Sequence, residues 1–133
     1  LSSAIKIANV NKNTPKILQP LDEPVYMHQV VEKAGSILNR FPDLSDAFNQ
    51  IQNSFGNEWR IHFHVPIFLK KMDKFDTTQD FLREILKIHK KSPISQHLEV
   101  ETYTWDVLPS NYKNIPVNKA IARELNWVIG ELS

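Results

Sequence analysis

The sequence predicts an α/β fold in which parallel strands alternate with helices, and three observations predict it. The latter part of the chain reads strand, helix, strand, helix, strand, helix, an order that implies right-handed crossovers and a parallel sheet. Two segments, Trp59 to Pro66 and His97 to Trp105, alternate apolar with ionisable or aromatic residues at a period of two, the period of a strand. The length is 133 residues, whereas a closed (β/α)8 barrel takes ~250. Two forms fit these facts: a small open sheet, or the second half of a barrel. In either form a ligand gathers at the C-terminal ends of the strands.

Taken in order, Ala4 to Val10 alternates small or apolar with polar residues and reads as a first strand. Asn11 to Asn13 and Pro15 stop it, and Asn11 to Pro24 reads as a long loop with at most one helical turn near Lys16 to Leu18. Val25 to Val31 is the second strand. Glu32 to Pro42 is an excursion in which Ile37 and Leu38 make a short strand or a buried turn. Asp43 suits a helix N-cap, because its carboxylate accepts from the free amides of the first turn. Leu44, Ala47, Phe48, Ile51 and Phe55 follow at helical spacing, and Gly56 stands where a left-handed C-cap belongs.

The third strand runs from about Glu58 to Phe68, with Pro66 ending its pairing. Leu69 to Asp76 is a loop. Asp76 with Gln79, or Thr77 with Asp80, can close a capping box ahead of a helix carrying Phe81, Leu82, Ile85, Leu86 and Ile88. The fourth strand runs from about His97 to Val107, Pro109 to Pro116 is a loop, and Pro116 opens a last helix through Leu132. No repeat, low-complexity tract or linker divides residues 1–133, which read as a single domain. The start at Leu1, in the middle of an apparent strand, has the look of a fragment.

Composition narrows the function. A net charge of +1 provides no basic field for nucleic acid or anionic lipid. The absence of cysteine leaves no disulfide or thiolate chemistry, so a metal would be held by imidazole and carboxylate. No apolar run approaches the ~20 residues of a membrane span. No Gly-rich phosphate loop, G-x-S-x-G elbow or H-E-x-x-H motif occurs. The expected setting is cytoplasmic.

The candidate site rests on the two alternating strands. His62 and His64 share one face of theirs; Glu99, Glu101, Tyr103 and Trp105 share one face of the other. Ionisable groups are seldom placed on apolar strands unless paired or bound to an ion. If the strands are parallel neighbours, His64 and Glu101 point into one pocket, where they could bind a divalent cation or share a proton as base and orienter. His62 and Glu99 lie one pleat deeper and either orient that pair or form a structural ion pair. Tyr103 and Trp105 could wall a flat ligand or plug the top of a barrel. His28 is open between core and site. Trp59 and Trp127 read as core, His89 and His97 as peripheral, and Arg123-Glu124 as a surface pair.

The stretches Ser2-Ser3-Ala4, Tyr26 to Val31, Trp59 to Pro66, Leu98 to Pro109 and Arg123 to Trp127 resemble the C-terminal half of the metabolite traffic protein EboE family, of the xylose isomerase-like (sugar phosphate isomerase/epimerase) TIM barrels. The resemblance covers nearly the whole chain. It implies the second of the two forms, a half-barrel whose N-terminal half is missing. Such a half exposes two sheet edges and half a core, so the chain is expected to pack with that missing half or with a second copy. It also implies a pocket for a divalent metal ion (Zn, Mn, Mg or Co) at the barrel top. On the superfamily's pattern His64 and Glu101 would be metal ligands and, with His28, catalytic. His28 resembles a substrate-side histidine three positions after an Asp ligand, but that position is Val25 here. The implied function is isomerisation or epimerisation of a sugar-like metabolite. The alternatives are binding or trafficking of a metabolite without conversion, and metal-assisted phosphoester hydrolysis.

Overall fold

A computed structural model describes residues 1–101 and 115–133. Its strands are β1 (Ser3–Ile7), β2 (Val30–Ala34), β3 (Ile37–Phe41), β4 (Glu58–Val65), β5 (Lys71–Met72) and β6 (Phe75–Thr77). Its α-helices are α1 (Thr14–Leu18), α2 (Leu44–Asn49), α3 (Gln79–Lys91) and α4 (Val117–Leu132), with 3-10 turns at Gln19–Leu21 and Ile51–Ser54. The strands form one six-stranded sheet in the order β3-β2-β4-β1-β6-β5. Every pairing in it is antiparallel.

This corrects the parallel half-barrel. The physical reason was present in the chain. A strand of a parallel sheet is covered by helices on both faces and reads as a nearly unbroken apolar run, whereas alternation marks a sheet with one face on the core. Along β4, Trp59, Ile61, Phe63 and Val65 are buried in the core while Arg60 and His62 are exposed. The alternating polar face is that of an antiparallel sheet, and the apparent strand–helix order came from two tight hairpins being missed.

The first of these hairpins joins β2 to β3 through Gly35, whose φ of 61° is the left-handed conformation that a tight turn needs. The second joins β5 to β6, in the stretch expected to be a loop, with Asp73 at φ 41° in its turn. The second strand lies later than expected, at Val30–Ala34 rather than from Val25. Val25 and Met27 are instead exposed in the loop before it. His97 to Glu101 is not a strand, and the remainder of that predicted element, with Tyr103 and Trp105, lies outside the described residues.

One face of the sheet carries the main core. Ile5, Val30, Trp59, Ile61 and Phe63 pack there against Val10, Leu18, Leu21, Leu44 and Ala47 from the α1 and α2 regions. Asp43 caps α2 as expected, its carboxylate accepting from the Leu44 amide and also from the His28 amide. A second cluster joins Ile67, just past β4, to Leu82 and Leu86 of α3 and Val128 of α4. Ile67 is held from two sides: its amide donates to the Glu124 carboxylate at 3.0 Å, and its carbonyl accepts from Gln79 Nε2 at 3.1 Å. Glu124 is thus buried, not a surface partner of Arg123, whose guanidinium lies 3.9 Å from the centre of the Phe68 ring. Among the described residues no helix is long and apolar enough to cross a membrane.

Candidate acid–base site

The site begins with an irregularity in the sheet. Ala4 pairs with His64, but the next residue of β1, Ile5, pairs with Ile61, so His62 and Phe63 have no counterpart in β1. Ala4 turns to Thr78 instead: its amide donates to Thr78 Oγ1 at 2.8 Å and its carbonyl accepts from the Thr78 amide at 2.9 Å. A bulge of this kind bends the strand and re-aims its side chains. In a regular strand, side chains two apart stand side by side; here the two imidazoles lean together, His62 Nε2 to His64 Nε2 at 2.8 Å with ring centres 4.8 Å apart.

The segment after α3 completes the group. The Glu101 amide donates to the Leu1 carbonyl at 3.0 Å, which lays this segment beside the start of β1 and hence beside His64. A Glu101 carboxylate oxygen then stands 3.6 Å from His64 Nδ1. The His64 side chain is 4% exposed and that of Glu101 53%. Burial pushes the His64 pKa below the usual histidine range; Glu101 opposes this, and the neighbouring charge of His62 adds to it. A neutral His64 suits the short contact, since two ring nitrogens at hydrogen-bond distance need one donor and one acceptor.

The other expected site residues are placed differently. His28 is buried, but its ring lies 5.1 Å from Phe63, on the core face of β4. Its Nε2 faces Glu23 at 3.2 Å and its Nδ1 is 3.4 Å from the His62 carbonyl. The sheet therefore separates His28 from the His62–His64 pair. Glu99 is exposed, while its neighbours Leu98 and Val100 pack on the second cluster. Tyr103 and Trp105 lie outside the described residues.

A divalent ion of the kind the resemblance implies needs several donor lone pairs converging on one point. Here His64 Nε2 faces His62, and Glu101 faces the far nitrogen of the same ring. Among the described residues no three His, Asp or Glu side chains are grouped to hold a metal ion. The two imidazoles and the carboxylate therefore act on one another rather than converging on a common point.

A cavity of about 470 Å³ opens where Lys6 and Arg60 face α3, lined also by Phe81, Arg83, Lys87, Asp80 and Glu84. Arg60 precedes His62 by two residues on the same face of β4. The cations of this cavity are matched by carboxylates: Lys6 and Arg60 by Glu58, Arg83 by Glu131, Lys87 by Glu84. The bulge was the feature that reading the sequence missed. Nothing in the H-x-H spacing announces it, because it depends on where Thr78 meets β1. Compared with family models, curated proteins and solved structures, the chain matches none of them.

Proposed function

We propose that Glu101, His64 and His62 form a proton relay that acts on a small hydroxy- or oxo-metabolite of sugar-like character. The observation that carries this reading is the 2.8 Å contact between the two Nε2 atoms, with a carboxylate on the far side of the buried ring. Glu101 favours a proton on Nδ1 of His64, which leaves its Nε2 as an acceptor. His62 then donates its Nε2–H to His64 and presents the Nδ1 lone pair as a base. A proton taken from the hydroxyl-bearing carbon beside a carbonyl passes to His62 and leaves an enediolate; the imidazolium so formed is stabilised by His64 and Glu101. The proton then returns to the opposite face of the same carbon, or to the former carbonyl carbon after the hydroxyl proton has shifted to the other enediolate oxygen. The result is isomerisation or epimerisation. This keeps the small-metabolite part of what the EboE resemblance implies and leaves the barrel aside.

The test is incubation with a panel of aldoses, ketoses and their phosphates in heavy water, following carbon-bound deuterium by NMR. Exchange into at least one of them, reduced about 10²–10⁴-fold in His62→Asn and restored by no other change, is the expected outcome. Absence of exchange from every sugar would remove the reading. A second reading, a binding module that converts nothing, is favoured by the cavity beside Arg60. It predicts ligand-dependent thermal stabilisation without exchange.

A further inference from the structure

The outer edge of the sheet offers a second, independent proposition. β3 has no neighbour on its outer side among the described residues. Its burial is low throughout, and Ile37 and Leu38 are 62% and 54% exposed. A strand edge of this length, with apolar residues and unpaired backbone groups, is a template for another strand unless something covers it.

The ladder shows which groups are free. The His62 amide donates to the Gln29 carbonyl, and in an antiparallel pair the groups directed at a given neighbour alternate along the strand. Gln29, Val31 and Lys33 therefore face β4, and Val30, Glu32 and Ala34 face β3. Their partners Phe41, Asn39 and Ile37 bond inward to β2. That leaves the amide and carbonyl of Leu38 and of Arg40 directed outward.

We infer that this edge pairs with the same edge of a second copy of the chain, antiparallel about a two-fold axis through Asn39. In that register Leu38 of one copy exchanges both backbone hydrogen bonds with Arg40 of the other, and the reverse pair repeats it. Ile37 stands opposite Phe41, an aliphatic–aromatic cross-strand pair that covers the most exposed apolar side chain of the edge. The two Asn39 residues meet on the axis. Pro42, which has no amide hydrogen, closes the ladder after Phe41. A two-residue slip one way would put the two Arg40 guanidiniums opposite each other, which like charge disfavours. A slip the other way would set Ile37 against polar Asn39. The occupant is thus a second copy because the sequence Ile37-Leu38-Asn39-Arg40-Phe41 is complementary to itself when reversed.

The chain has no native cysteine, so a single introduced thiol reports the register without interference. Residues on the axis form a non-hydrogen-bonded pair with Cα atoms roughly 4.5 Å apart, within the ~4.4–6.8 Å that a disulfide spans. Asn39→Cys under mild oxidation is expected to give a covalent dimer. Ser36→Cys is not, because its two copies would lie about 20 Å apart. By sedimentation equilibrium the unaltered chain is expected at twice its 15.5 kDa. Leu38→Lys places an ammonium opposite Arg40 of the second copy and is expected to weaken association on the order of tenfold or more. Leu38→Pro removes an outward amide while sparing the bonds to β2, and is expected to give a monomer. Circular dichroism checks that both variants remain folded. A monomer at all concentrations would overturn the inference. So would a dimer that neither variant weakens, or crosslinking at Ser36 in place of Asn39. None of these outcomes bears on the proton relay.

Discussion

Glu124 shows how much one buried carboxylate decides. It lies 5% exposed on α4 and accepts the Ile67 amide. Burial raises its pKa, and the hydrogen bond from Ile67 offsets part of the rise. A carboxyl whose folded pKa exceeds the unfolded value contributes stability that is full below the unfolded pKa and is lost as pH rises through the folded one. Glu124→Gln keeps an acceptor for Ile67 and removes the ionisation. Its thermal midpoint at pH 7 is expected above that of the unaltered protein, with the difference vanishing in acid. Glu124→Leu leaves the amide without an acceptor and is expected to cost about 1–3 kcal/mol by urea unfolding. The doublet Arg123-Glu124 gave no hint of this, because a helix stripe shows only which residues turn inward and not what backbone they meet.

At the scale of elements, the two sides of the sheet are specialised by single residues. Glu32 of β2 fastens three strands: its carboxylate accepts from Trp59 Nε1 of β4 and from Asn39 Nδ2 of β3, each at 2.9 Å. Burial alone would raise its pKa, but hydrogen bonds from Ser54, Trp59, Asn39 and Asn57 outweigh it, and the carboxyl is held below the usual range. Glu32→Ala strands the indole N–H in the core, and a loss of about 2–3 kcal/mol in a urea titration is expected. On the other side of β4 the bulge sets the two imidazoles together. The bulge is in turn made by Thr78, the residue before α3, through its two bonds to Ala4. Position and chemistry of the candidate site therefore derive from a loop residue with no ionisable group.

Across the whole molecule these groups set the response to acid. His64 has a lowered folded pKa; the unfolded chain takes up a proton there first, so stability present above about pH 6.5 falls as pH drops through that value. Glu32 has a lowered folded pKa as well, and its contribution is lost in more acid solution, below about pH 4.5, as the folded carboxyl protonates. Glu124 acts in the opposite sense. In Glu124→Gln, where that opposing contribution is absent, thermal midpoints are expected to decline between pH 7 and 5 and again below pH 4.5. The first decline should flatten in His64→Gln, and only the second in Glu32→Gln. An unchanged slope between pH 7 and 5 in His64→Gln would show that the buried imidazole is not what titrates.

The sequence by itself determined the local pieces. Alternation located β4 with its buried Trp59, the cap at Asp43 located α2, and the apolar stripes located α3 and α4, because each depends on neighbours within a turn or a pleat. It also brought His62, His64 and Glu101 forward as candidates, through residue types that are costly to place on apolar strands without a partner. Only the tertiary structure decided the direction of the strands. β1 pairs with β4 more than fifty residues later, and the order of elements is the same for several topologies. It also set His28 on the far side of the sheet from the histidine pair, and closed that pair through a bulge. Such outcomes follow from long-range register, since a shift of one residue sends a side chain to the opposite face, and no local pattern specifies it.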